Sequence, residues 1–586
     1  MLSVEKLINE HYPKLQDKPW LHKPVKAMLR TLLNEQEFIR FSDDYPHLRG
    51  LALIEQIFEH FNFTYTVKEN ERIRIPSSGR VVIIANHPIG SLDGLALLHL
   101  VSTIRQDVKA VANELLYSLE PLRDLLLPVN AMGGGSKQAQ LRSISEYLDN
   151  EGAIIIFPAG EVSRLRPQGV RDTRWQGGFL RIASQTQSPV VPVFIKGRNS
   201  ALFYGTSMLY KPLSTLLLAK EMFRQSSGSL SIVIGDPIPF DAYKGDQLAR
   251  RAKVKLFKRH LYRIGKNQSP LFRTETAIGH PENRSYLQQA LKACELLGAT
   301  PDGKQILLYK AGVNSTIMRE LGRLREIAFR AVGEGTGRKR DLDKYDNYYE
   351  HLLLWDPNDL EIAGAYRLAP TAKIVAEQGI KGLYTSSLFS FDKEMSPYLA
   401  KGLELGRSFV QPRYWGRRSL DYLWHGIGAY ISRYPECRYL FGPVSISKEM
   451  PTAARDLMIQ FYLQYFGSAS QIARSHHPYR VAENSQLGVT FSGENYIEEF
   501  ALLKNMLANM ECSVPTLYKQ YSEVCEPGGV RFLDFGIDPE FAACIDGLVL
   551  VDTHLLKEKR RQRYMPDAAL AEPATPNSPK TALPMQ

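Results

Sequence analysis

Ile84-Ala85-Asn86-His87-Pro88-Ile89-Gly90-Ser91-Leu92-Asp93-Gly94 follows directly on Val81-Val82-Ile83, and this stretch decides what kind of domain the first half of the chain forms. Val81-Val82-Ile83-Ile84 has the length and β-branched content of a buried strand. Pro88-Ile89-Gly90 then forces a turn that leaves His87 at the strand's end, and Ser91 or Asp93 opens a helix through Gly94-Leu95-Ala96-Leu97-Leu98. In that arrangement Asp93 accepts a hydrogen bond from one imidazole nitrogen, fixes the tautomer and leaves the other nitrogen free to deprotonate a hydroxyl. His87 is thereby a candidate general base. A histidine near a strand end is more often a satisfied core residue, so the assignment needs support from elsewhere in the chain.

Two further apolar runs supply it. Ala153-Ile154-Ile155-Ile156-Phe157 reads as a second buried strand and runs into Pro158-Ala159-Gly160-Glu161-Val162-Ser163-Arg164, and Pro189 to Ile195 reads as a third after a helical interval. Strand–helix alternation from about residue 80 to 240 predicts an α/β domain.

The order and spacing of these segments resemble the four sequence blocks of the glycerolipid acyltransferase family, which includes the lysophosphatidic acid acyltransferases. Asn86-His87 with Asp93 matches the first block, Asn130 to Gly135 the second, Phe157 to Arg164 the third and Val191-Pro192-Val193 the fourth. The resemblance implies a catalytic His87 and Asp93, and substrate contacts from Asn86, Ser91, Phe157, Pro158, Gly160, Glu161 and Arg164. Five residues separate His87 from Asp93, one more than the family's usual spacing, so Gly90 must absorb the extra residue in the turn. Where the family reads Phe-Pro-Glu-Gly-Thr, this chain reads Phe157-Pro158-Ala159-Gly160-Glu161. An anionic Glu161 repels a phosphate-bearing acceptor and attracts an amine; as a solvated loop carboxylate it does neither, and both readings stand. Arg164 and Arg166 offer paired hydrogen bonds to an acceptor carboxylate.

The second half starts a new pattern at about Gln305. Expected elements are a strand over 306–312, an amphipathic helix over 316–332, strands over 351–356 and 361–368, a strand over 403–410 and a helix over 419–434. This succession resembles the GNAT-like fold of the acyl-homoserine-lactone synthases and, more closely, of the ornithine N-acyltransferases. The matching residues are Arg325 and Phe329 on the helix, Asp343 and Asp346 in the following loop, Arg367 on a strand, and Glu404 with Arg407 on the central strand. The lactone synthases' tryptophan after the Phe has no counterpart here, which disfavours lactone chemistry. The resemblance implies that the arginines hold an amino acid's carboxylate, that carboxylates hold its side-chain ammonium, and that Glu404 accepts the proton of the attacking amine. It also puts Arg413 to Arg418 where a pantetheine phosphate meets a helix N-terminus. The bland alternative is a set of structural salt bridges.

A chain of 586 residues suggests two main domains. The expected division is a helical leader over 1–78, a glycerolipid-acyltransferase-type α/β domain over 79–240, a helical linker over 241–300, a GNAT-like α/β domain over 301–555 and a disordered tail over 556–586. The net charge of +11 favours an anionic partner: an acyl carrier protein or an anionic membrane surface. Nucleic acid is not expected, because zinc-ligand spacing, an aromatic-basic RNA-binding block and a helix-turn-helix pattern are all missing. The five cysteines are irregularly spaced, which argues against a metal site or disulfide framework and for a reducing compartment. No apolar run reaches the roughly 18–20 residues that span a bilayer. The expected location is therefore the cytoplasm or, peripherally, the cytoplasmic face of the bacterial inner membrane. Residues 248–261 predict a helix with a basic side that suits lipid, an acidic carrier or plain solvation. Residues 208–220 are a short apolar candidate for membrane contact or for a buried helix.

Together the halves resemble the bifunctional ornithine-lipid synthases of bacteria. That resemblance implies N-acylation of ornithine by the second half and O-acylation of the resulting lyso-lipid by the first. The donor is an acyl-ACP or acyl-CoA co-substrate, with no other cofactor and no metal. The alternative is a lysophospholipid acyltransferase with a non-catalytic GNAT-like module.

Overall fold

The computed structural model describes residues 30, 35–112, 114–117, 119–129, 137–167, 169–200, 203–204, 221, 229–245, 247–310, 315–481 and 491–565. The second sequence block, residues 208–220 and the tail from 566 lie outside the described residues. The chain divides between His280 and Pro281 into two compact units.

In the first unit the strands are β1 (Thr64–Val67), β2 (Val81–Ala85), β3 (Val108–Ala112), β4 (Leu126–Pro128), β5 (Ala153–Ile156), β6 (Val190–Lys196) and β7 (Ser229–Ile234). They form one sheet in the order β1-β7-β6-β2-β5-β3-β4. Neighbours run parallel, with β6 and β7 the antiparallel pair. A central parallel strand is covered on both faces, which is why β2 is apolar without alternation and buried at every residue. Val81, Ile83 and Ala85 share one core with Leu92, Ala96 and Leu97 of helix α1 (Ser91–Ser102). Val82 and Ile84 share the other with Phe179 and with Val254, Phe257 and Leu261 of helix α2 (Arg250–Ile264). Full burial of each such side chain contributes about 1.5–3 kcal/mol.

The second unit holds β8 (Glu295–Ala299), β9 (Gln305–Lys310), β10 (Glu350–Asp356), β11 (Glu361–Pro370), β12 (Gly402–Val410), β13 (Tyr439–Ile446), β14 (Val530–Asp538) and β15 (Cys544–Asp552). Their order is β8-β9-β10-β11-β12-β13-β15-β14. Helix α3 (Thr316–Arg330) packs with Leu307, Leu353 and Trp355 on one face. Helix α4 (Ser419–Arg433) packs with Ile306, Leu308, Leu352 and Leu354 on the other. The period of two in β9 and β10 thus assigns one helix to each face. Both units are α/β, as the sequence predicts.

The expected boundaries shift. The stretch read as a linker over 241–300 is shared between the units: α2 closes one face of the first sheet, and Arg284–Leu291 belongs to the second. Within the expected leader, Gly50–His60 is helical, while Thr64–Val67 joins the sheet beside β7. The expected tail begins with a helix, Glu558–Tyr564, because Arg563 pairs with Asp421 of α4 and Tyr564 is buried against Trp424 and His425.

Of the neighbouring strands in the second sheet, β12 and β13 are the parallel pair, and they pair only from Gly402↔Tyr439 to Glu404↔Phe441. Beyond that point the sheet opens. At the fork Gly442 lets the backbones meet: a Cβ there would lie 2.0 Å from the Leu405 carbonyl oxygen. Gly442→Ala is therefore expected to lose about 3 kcal/mol in urea unfolding of the second unit. Gly406→Ala, where nothing lies within 4 Å of the added carbon, is expected to stay within about 0.5 kcal/mol of wild type.

Candidate active sites

In the first unit the site forms where β2 ends. Asn86 donates from Nδ2 to the Ile195 carbonyl at 2.8 Å and accepts the Ile195 N–H at 2.7 Å. It ties β2 to β6, and its amide is taken up by backbone. Gly90 carries the extra residue of the turn at φ 118°, where an L side chain is strained. Asp93 is fully buried: Oδ2 accepts the Ile89 N–H at 2.8 Å and the Gly90 N–H at 3.2 Å, and Oδ1 lies 2.8 Å from His87 Nδ1. Its place in the first turn of α1 adds the favourable end of the helix dipole. Burial alone would lower the His87 pKa, but Asp93 and then Asp172 outweigh it and hold the imidazole above its ordinary value. The side chain keeps 21% exposure, so Nε2 can meet a substrate.

The third block folds against this histidine. The Phe157 ring lies 4.4 Å from the imidazole, the Pro158 carbonyl accepts the Gln176 N–H at 2.8 Å, and Gly160 turns the chain at φ 64°. The Ser163 N–H donates to the His87 carbonyl at 2.7 Å. Arg164 lies 3.5 Å from Glu161 and stacks over Phe203. Arg166 is exposed. Ser91 opens α1, and its side chain lies outside the described structure.

Sequence reasoning missed Asp172. Its carboxylate is buried and accepts from the His87 N–H at 3.2 Å, Ser163 Oγ at 2.5 Å and Trp175 Nε1 at 2.7 Å. Lys258 of α2 caps the Asp172 and Thr173 carbonyls at 2.8 and 2.6 Å. Asp172 thus clamps the first and third blocks together. Nothing in Arg171-Asp172-Thr173-Arg174-Trp175 sets it apart from other loop carboxylates.

In the second unit the residues named from the motif converge on one face of the sheet. Arg325, wholly buried on α3, donates to Asp346 Oδ1 at 2.8 Å and lies 3.2 Å from His351 Nδ1. Arg367 on β11 donates to Asp343 at 2.7 Å and Asp346 at 3.2 Å, above the rings of Tyr349 and Tyr384. Arg407 lies 3.1 Å from Asp341 and 3.7 Å from Asp343 and donates to the Tyr384 hydroxyl at 3.0 Å. It sits at φ 47° in a bulge where Arg367↔Gly406 is followed by Ala365↔Phe409, which re-aims its side chain. Burial raises the Asp346 pKa, but Arg325 and Arg367 hold it far below the ordinary carboxylate range. Burial, with Arg325 second, pushes His351 down to about 3, so it stays neutral and its Nδ1 accepts from Arg325. Phe329 packs edge-on to Phe541 at 5.0 Å.

Glu404 differs from the other acids. Oε2 accepts the Tyr349 hydroxyl at 2.6 Å and Oε1 the Thr385 N–H at 2.7 Å, with 2% of the residue exposed. Arg413 pairs with Asp359 and Glu361. Asp341, His351, Tyr349 and Tyr384 were missed, because only strand register and loop packing bring them to the cluster.

Two family models match the chain: "Acyltransferase" over residues 13–268 and "Acetyltransferase (GNAT) domain" over 324–425. The glycine N(alpha)-acyltransferase of Bacteroides thetaiotaomicron is 32% identical over 262 residues, 42% of this chain and 77% of that protein. The lyso-glycine lipid O-acyltransferase of the same species is 28% identical over 250 residues, 42% of this chain and 90% of that protein. An L-ornithine N(alpha)-acyltransferase of Brucella abortus is 32% identical over 143 residues, 22% of this chain and 50% of that protein. The chain is thus an acyltransferase, and it belongs to the acyltransferase family represented by the glycine N(alpha)-acyltransferase of Bacteroides thetaiotaomicron.

Proposed function

We propose that the protein makes an amino-acid lipid by two acyl transfers, one in each unit, with ornithine as the amino acid. The observation that carries this reading is that one chain is similar to both an N-acyltransferase and a lyso-lipid O-acyltransferase of a single species, with a separate cluster of candidate residues for each step. Ornithine is favoured by the relatives named for it. The longer matches to glycine enzymes favour glycine as the second reading.

In the second unit the α-amine attacks the carbonyl carbon of a 3-hydroxyacyl thioester, an amide bond forms and the thiolate leaves. Arg325, Arg367 and Arg407, already arranged around Asp341, Asp343 and Asp346, form the cationic wall for the acceptor carboxylate. In the first unit His87 Nε2 takes the proton of the lyso-lipid's 3-hydroxyl as that oxygen attacks a second thioester. The departing thiolate recovers the proton from His87, and Asp93 stabilises the imidazolium in between. The donor is acyl carrier protein. The net charge of +11 and the exposed row Arg251, Lys255 and Arg259 on α2 support an acidic carrier and an anionic membrane surface as partners. Among the described residues no helix is long and apolar enough to cross a membrane, and the apolar side of α2 is already in the core. Membrane attachment at the cytoplasmic face through α2 is therefore electrostatic, and sedimentation with anionic vesicles at low salt should be reversed by high salt.

Cells expressing His87→Ala should accumulate monoacylated lyso-ornithine lipid, read by mass spectrometry of lipid extracts. Undiminished diacylated product in that strain refutes the assignment. His87 must be neutral to accept a proton, and its pKa is held above the ordinary 6.5. The O-acyl rate should therefore fall as pH drops through a value above 6.5. Asp93→Asn removes the larger raising charge, so this limb should move to lower pH while the plateau drops by about 100-fold.

A further inference from the structure

On the reading of the second unit as an amine acyltransferase, one group is still missing: an acceptor for the proton of the attacking ammonium. Glu404 has both oxygens engaged by Tyr349 and Thr385. Asp341, Asp343 and Asp346 each face one or more guanidinium groups. Of these, Asp346 is held far below the ordinary carboxylate range by Arg325 and Arg367 and is a weak base.

Asp546 is placed differently. It lies on β15 opposite Ser445 of β13, on the part of β13 that has parted from β12. It is 3% exposed; Oδ1 accepts Ser445 Oγ at 2.7 Å and lies 3.6 Å from Cys544 Sγ, and among the described residues Oδ2 accepts no hydrogen bond. Half-buried Glu334, just past the end of α3 and fixed by its N–H to the Phe329 carbonyl at 2.8 Å, lies close enough to Asp546 for the two carboxyls to repel one another. Asp538 is satisfied by the Tyr384 hydroxyl at 3.0 Å and the Glu540 and Phe541 N–H groups. The cluster is linked to the arginine wall, because the same Tyr384 hydroxyl accepts from Arg407.

We propose that Asp546 accepts the proton of the acceptor ammonium, with Glu334 drawing the cation in, and that Glu404 is a positioning residue. The ammonium gives one proton to Asp546, and its freed lone pair attacks the thioester carbon. The C–N bond forms, the C–S bond breaks, and the second proton from nitrogen goes to the departing thiolate sulfur. Asp546 then returns its proton to solvent past Glu334. Burial first and neighbouring acids second push both Asp546 and Glu334 to about 7. Asp538 adds negative charge beside Asp546 and the Glu334 carboxyl repels it, Tyr384 and Tyr518 stay neutral, and the Ser445 hydroxyl, the neutral Cys544 thiol and Arg407 pull partly the other way. A carboxylate so poised is matched to proton transfer at neutral pH.

The test is the pH dependence of N-acyl transfer to ornithine and to glycine by the full-length protein, with acyl carrier protein thioester as donor. Wild type should rise with unit slope to a plateau above about pH 7. Asp546→Asn should lose on the order of 100-fold at neutral pH and keep rising toward the pKa of the free amine, because solvent must then deprotonate it. A purely structural role would lower the whole curve without moving it, and that result, or activity within about threefold of wild type, overturns the proposal. Glu334→Gln removes a like charge and should move the wild-type limb about one unit to lower pH; an unmoved limb also counts against it. Should Asp546→Asn not fold, judged by thermal unfolding, the Glu334→Gln limb decides. A wild-type protein inert toward both amino acids at every pH, yet active in O-acylation of supplied lyso-lipid, overturns the N-acyl reading itself and this assignment with it.

Discussion

A carboxylate removed from water must be met by N–H groups or by opposite charge, since a buried charge left alone costs several kcal/mol. Both sites are built around that requirement. Asp93 has no exposure and is met by two backbone N–H groups and an imidazole; Asp346 is met by two guanidinium groups. The partners of each acid are thereby fixed in direction. His87 presents one definite nitrogen outward, and the arginine wall presents its remaining N–H groups from fixed positions, with Arg325 Nε and Arg367 Nε and Nη2 buried and, among the described residues, unmatched by any hydrogen bond. Unmatched donors of this kind are what an anionic substrate group would satisfy.

The second constraint is the opening of the second sheet. Parallel pairing of β12 with β13 stops after Glu404↔Phe441, and the bulge at Arg407 turns that side chain toward Asp341. A left-handed conformation at a non-glycine residue costs on the order of 1 kcal/mol, and it persists because three partners hold the guanidinium. Gly442 allows the close approach at the fork. Together these features leave Ser445 on the segment of β13 that has parted from β12, with Asp546 of β15 opposite it, near Tyr384 and Asp538.

The chain alone determined the features whose causes are local. The apolar run of β2, the turn at Gly90 and the carboxylate at Asp93 lie within a few residues of one another, so the His87–Asp93 pair was legible even with its longer spacing. The apolar runs Ile306-Leu307-Leu308 and Leu352-Leu353-Leu354-Trp355 were likewise legible as strands. The arginines and acids of the second unit were readable only as positions in a motif, and which acid meets which arginine was not. Asp172 lies 85 residues from His87 in the chain, and the contact of Tyr384 with Arg407 depends on a loop folding across a bulged strand. The amide of Asn86 and the oxygens of Glu404 could be seen to be occupied only once β6 and Tyr349 were in place. Helix Glu558–Tyr564 was read as a tail because its composition is basic and polar, and it folds because Asp421 waits on α4. Sequence spacing thus decides which groups share a strand end or a helix turn, whereas the partners that set charge and availability come from distant segments through sheet register, which the tertiary structure alone specifies.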